Sequence, residues 1–190
     1  LIDHSKGVEA RTRKLFEVCR MRNLPMITFM NKLDRPGLDP LELLDDVSST
    51  LNLRVAPMNW PIGMGKEFQG VVDLRTKTVL LFSGGRKGAE VLKTETMHLD
   101  EAEERLGSTV YENLLEELEL LEGAGDPFDE EEFLAGELSP IFWGSALTNF
   151  GVEPLLQFVA AESASPSARK TSEDETIQPT DAGFTGFIFK

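Results

Sequence analysis

The sequence has 190 residues, 33 acidic and 19 basic side chains, a formal net charge of −14, and 41% hydrophobic against 27% charged residues. That balance fits a soluble globular chain with one good core or two small ones, and its acidity disfavours a broad direct grip on nucleic-acid phosphates while suiting a basic protein partner. A run of about eighteen apolar residues is missing and the start lacks the order of a signal peptide, so no membrane partner and a cytoplasmic location are expected.

The opening "LIDHSKG" reads as the tail of a buried strand that begins upstream, with Leu1 and Ile2 followed by turn-forming polar residues. A helix is expected from about Gly7 to Met21, with Val8, Leu15, Val18 and Cys19 at helical spacing on its packed face. On that reading Cys19 is a packing residue, and the single cysteine excludes an intramolecular disulfide. His4 and His98 are too far apart in sequence to suggest a zinc site with it, so no metal ligands are expected in the chain.

Met26 to Met30 forms an apolar, β-favouring run that halts on Asn31, Lys32 and Asp34, so strand, helix and strand make one parallel crossover. A second helix follows, capped by Asp39, with Pro40 in its first turn and Leu41, Leu44, Val47 and Leu51 on one face. The pattern then changes: "GVVDL", "TVLLF" and "AEVLKTE" are separated by "RTK" and the glycine-rich "SGGRKG", which predicts an antiparallel meander. A long helix carries the stripe Leu106, Val110, Leu114, Leu118 and Leu121, ends between Gly123 and Pro127, and is followed by the short helix "DEEEFLAG". After Pro140 the apolar run "IFWGSA" returns to the parallel pattern, and Pro154 begins a helix with Leu155, Leu156 and Val159. Glu162 to Gly183 is polar and rich in Ser, Thr and Pro, as a linker is, and "FTGFIFK" reads as the start of another strand with Phe187 and Phe189 at period two. The expected class is α/β, a parallel sheet interrupted by an α+β subdomain. Sheet edges and apolar surface left bare at its ends would favour self-association.

Ligands of open α/β sheets bind beyond the carboxyl ends of the strands, where Asn31, Lys32 and Asp34 follow one strand and Gly144, Ser145 and Ala146 another. The Asp34 carboxylate offers two acceptors, matching a ligand edge with two adjacent N–H donors. Guanine has such an edge and adenine lacks it. "NKLD" resembles the Asn-Lys-x-Asp element of regulatory and translational GTPases, and "GSAL" resembles their Ser-Ala-x element. The resemblance implies that Asp34 binds guanine N1–H and the N2 amino group, and that Asn31 contacts N7 and braces the site. It also implies that the stem of Lys32 lies over the rings, Ala146 gives its N–H to O6, Ser145 orients the loop and Leu147 packs beside the base.

Longer stretches are similar to ribosomal translocase GTPases, and "WPIGMGKEFQGVVDL", "FLAGELSPIFWGSALTNFGVEPLL" and "FTGFIFK" look most like the bacterial peptide chain release factor three family, with Trp143 a departure. That resemblance implies an incomplete P-loop-NTPase-type sheet, the C-terminal part of a G domain, at 1–54, and an inserted α+β subdomain at 55–138. The G domain would return at 139–163, followed by a linker at 164–183 and the start of a β-barrel domain at 184–190. It further implies GTP/GDP as ligand, with Mg²⁺ held only through residues outside this chain. The implied partners are the ribosome, through its stalk, and stop-codon-reading release factors, which the intact protein would recycle in translation termination. Elongation factor G is the nearest alternative, and a non-catalytic module centred on the acidic helix is an alternative of another class.

"WPIGMGKEF" is not a phosphate-binding loop: the G-x-x-x-x-G-K-[ST] spacing would need Gly at the position of Trp60 and Ser or Thr at that of Glu67. It is expected to be a turn. With no P-loop or switch elements, the chain is expected to be catalytically inactive alone, although the intact protein would be a GTPase.

Overall fold

A computed structural model describes residues 1–83, 93–124 and 126–186. The elements in chain order are β1 (Ile2–Asp3), α1 (Ala10–Arg20), β2 (Thr28–Asn31), α2 (Pro40–Leu51), β3 (Arg54–Pro57), β4 (Asn59–Ile62), β5 (Gly70–Asp73), β6 (Thr78–Ser83) and β7 (Lys93–His98). They continue with α3 (Glu103–Leu106), α4 (Ser108–Ala124), α5 (Glu130–Ala135), β8 (Leu138–Trp143), α6 (Val152–Glu162), β9 (Arg169–Lys170) and β10 (Thr176–Ile177).

Four strands form a parallel sheet in the order β1-β2-β8-β3, and four form an antiparallel sheet in the order β4-β5-β6-β7. Alternation along the parallel strands sends Met30, Val55, Ile141 and Trp143 into one core, with Phe16 of α1 and Leu43, Leu44, Val47 and Leu51 of α2. Phe29, Ala56 and Phe142 enter another, with Phe133 of α5 and Phe158 of α6. Helices therefore cover both faces, as a parallel sheet requires. The first core runs on into the antiparallel sheet and α4, through Trp60, Val71, Val79, Leu114, Leu118 and Leu121.

α2 forms as its sequence dictates: the Asp39 side chain accepts from the N–H groups of Leu41 and Glu42, Pro40 opens the helix, and Asn52 ends it in the left-handed region. Burying each of its core Leu side chains contributes about 1.5–3 kcal/mol of transfer free energy. Arg54 on β3 forms ion pairs with Asp126 and Glu132, joining the start of the interruption to its end.

Several expectations change. Leu15 and Val18 are exposed on α1 and Phe16 is its buried residue, because the helix packs beside α2 and turns Phe16 into the core they share. β3 pairs in parallel with β8 from Arg54↔Leu138 to Pro57↔Ile141, so the parallel sheet takes Val55, Ala56, Pro57 and Leu138, which the resemblance put in the inserted unit. "WPIG", expected only as a turn, supplies β4; Pro61 is tolerated there because β4 is an edge strand. Leu106 lies in α3, separated from α4 by Gly107. Leu156 and Val159 are exposed on α6, where Phe158 is buried. The expected linker contains the exposed antiparallel pair β9 and β10. Of "SGGRKG" only Ser83 is described, "AEVLKTE" is described from Lys93 onwards, and Phe187 and Phe189 lie outside the described residues.

Candidate functional site

Parallel register brings the carboxyl ends of three strands together. Asp3 pairs with Asn31, and Met30 with both Ile2 and Trp143, so β1, β2 and β8 deliver Asp3, Asn31 and Gly144 to one rim. The loop after β2 and the loop after β8 are joined directly, since Leu33 N–H donates to Gly144 O at 3.2 Å and Gly144 N–H to Met30 O at 3.0 Å.

Asn31 braces both loops. Its Oδ1 accepts from the N–H of Lys32 at 2.8 Å and of Ala146 at 2.9 Å, which fixes the orientation of its amide and leaves Nδ2 as a donor for a ligand. Asp34 accepts a hydrogen bond from Ser145 Oγ at 2.6 Å, and the serine is fully buried. The Asp34 side chain is 18% exposed, and its second oxygen lies 3.8 Å from Arg35 Nε. A carboxylate aimed by a buried hydroxyl and left partly open suits paired N–H donors.

Lys32 occupies the left-handed region at φ 74°, a strained position for a residue with a side chain. Its ammonium lies 2.6 Å from Asp3 Oδ2. The Lys32 hydrogen bond, aided by Ser5 Oγ and N–H on the other oxygen, outweighs burial and lowers the Asp3 carboxyl to about 2. No sequence pattern singled out Asp3; only its register beside Asn31 shows its part.

The remaining expected residues are placed less uniformly. Ala146 is at the surface and its N–H, expected on O6, donates to Asn31; Leu147 is exposed beside it. Gly144 is required by a close approach, because a Cβ there would lie 2.3 Å from Phe150 O and 2.9 Å from Phe29 Cζ. A cavity of about 280 Å³ elsewhere, lined in part by Asp73, Arg75, Phe158 and Glu162, involves neither loop. Among the described residues no group of three or more His, Cys, Asp or Glu could hold a metal ion, and no helix is long and apolar enough to cross a membrane.

A parallel sheet with two joined polar loops at its carboxyl rim is the place where nucleotide-binding proteins of this class hold their ligands. The chain belongs to the elongation factor Tu GTP binding domain family, whose model matches residues 1–165. Over its full length it is 47% identical to the peptide chain release factor 3 of Macrococcus caseolyticus and 46% identical to that of Staphylococcus aureus, and it spans 36% of the length of each. A crystal structure of a Thermus thermophilus protein superposes with a TM-score of 0.61 at 24% identity, covering 87% of this chain and 26% of that one. That likeness extends the evidence for the fold.

Proposed function

We propose that this chain is the guanine-reading part of a translational GTPase of the release factor three type, which recycles stop-codon-reading release factors from the ribosome in the cytoplasm. The observation that carries the reading is the Asp34 carboxylate, aimed by Ser145 and flanked by an Asn31 amide whose donor end is left for N7. Asp34 pairs with guanine N1–H and the N2 amino group, Lys32 covers one face of the rings, and Leu147 packs at the edge. Ala146 N–H serves O6 by sharing or leaving Asn31 Oδ1.

The parallel sheet here is the C-terminal part of the nucleotide domain. The phosphate cradle, the magnesium ligands and the group that positions water come from residues outside this chain. Magnesium, when bound with the nucleotide, neutralises charge on the phosphates. Base reading without phosphate contacts gives weak affinity, so the 190-residue chain alone binds GTP poorly and does not hydrolyse it. The antiparallel sheet with α3 and α4 is the inserted subdomain, and the family resemblance gives it the ribosomal stalk as partner.

Substituting Asp34→Asn in the full-length protein tests the site. The amide exchanges an acceptor for a donor, so GDP affinity falls roughly a hundredfold and preference moves to xanthine nucleotides. An unchanged base preference in equilibrium binding would remove Asp34 from the role.

A further inference from the structure

The parallel ladder has an unusual last rung. β3 leaves β8 after Pro57↔Ile141, where Met58 N–H still donates to Ile141 O at 2.9 Å. The next groups of β8 facing that side are the N–H and C=O of Trp143, immediately before the second base loop. Both are met by one side chain: Asn59 Oδ1 accepts from Trp143 N–H at 2.7 Å and Asn59 Nδ2 donates to Trp143 O at 3.2 Å. Asn59 is 1% exposed, so water cannot replace it, and its amide extends the ladder as a peptide group would.

The same segment grips the first loop. After β4 the chain turns at Gly65, whose N–H donates to Leu33 O at 2.7 Å. Leu33 is fully buried between Lys32 and Asp34, and its own N–H is the one bonded to Gly144. Gly65 has φ 64°, where a side chain is strained, and a Cβ would lie 3.4 Å from Pro36 N. Trp60, between the two grips, meets Trp143 edge to face at 5.5 Å and donates its indole N–H to Glu117 Oε2 on α4 at 2.7 Å.

We infer that the segment from Asn59 to Gly65 is the mount of both base loops, with Asn59 and Gly65 as positioning residues that hold Trp143 and Leu33 in the geometry needed to read guanine. The inference rests on the proposed guanine site. It assigns a task to the glycine-rich turn that has no phosphate to cradle: the amide of Gly65 organises the base loop instead.

The test uses the full-length protein and labelled GDP. Asn59→Leu keeps the volume and removes both hydrogen bonds, so release of GDP quickens and Kd rises, each about tenfold. Gly65→Ala keeps the amide but strains its placement and gives a smaller rise, about threefold, which supplies the reading if the first variant does not fold. A merely structural loss would lower the amount of active protein and leave the release rate of the folded fraction unchanged. Wild-type release and Kd in the folded variants, alongside a defective Asp34→Asn, overturn the mount and spare the site. Unaltered guanine binding by Asp34→Asn overturns the site and the mount with it.

Discussion

The loop from Asn31 to Gly37 and the loop from Gly144 to Gly151 meet at one rim and differ in where their holding groups come from. In the first, side chains do the holding: Asn31 closes on Lys32 and Ala146, Asp34 takes the Ser145 hydroxyl, and Lys32 reaches Asp3. In the second, close backbone contacts and a distant side chain do: Ser145 N–H donates to Phe150 O at 2.8 Å, Gly144 packs against the same carbonyl, and the Asn59 amide clamps the residue before it. A loop held by its own polar side chains announces itself in sequence. One held by close backbone contacts depends on residues far away.

The sharpest break in this contrast is Gly144→Ala. The added methyl must displace the Phe150 carbonyl and the Phe29 ring, costing about 2–3 kcal/mol, which urea unfolding measures. A midpoint unchanged from wild type would show that the second loop yields as readily as an open turn. Asp3→Asn loosens the first loop with a smaller loss, about 1 kcal/mol at neutral pH once solvent screening of the 44% exposed Lys32 side chain is allowed for. Folding lowers the Asp3 carboxyl from 3.8 to about 2, so this contribution is present above the ordinary value and fades as pH falls through about 2. The gap between wild type and variant should close over that window; a gap constant with pH would remove the ion pair as its cause.

Glu117→Gln touches only the far end of the mount and has the smallest effect. Burial raises the Glu117 carboxyl, the Trp60 hydrogen bond opposes that rise, and Asp39 adds to it. Ionisation therefore costs stability as pH rises through the folded value. Glutamine keeps an acceptor for Trp60 without that charge, so thermal unfolding at neutral pH should change by less than about 0.5 kcal/mol, towards greater stability. A clear loss would mean that the charge itself holds Trp60.

Much of the plan was legible because local signals agreed. α2 carried its cap, its proline and its stripe together, and "NKLD" stood where an apolar strand stopped. The packed side of α1 was not legible: Leu15 and Val18 fall at helical spacing, yet Phe16 is the residue that reaches the core shared with α2. β4 was hidden by Pro61, which argues against a strand unless the strand lies at an edge, a fact of topology. Pro140 sits inside β8, where pairing with β2 begins only at Ile141. Asn59 had no motif at all, since its two partners lie 84 residues away on the backbone of a single tryptophan.

That tryptophan and Trp60 are the only two in the chain, and their ring centres lie 5.5 Å apart, one residue before the second loop. Indoles this close couple their electronic transitions, so the pair is a built-in optical gauge. Circular dichroism in the aromatic region reports whether the last rung of the ladder is intact, without a label and without a ligand.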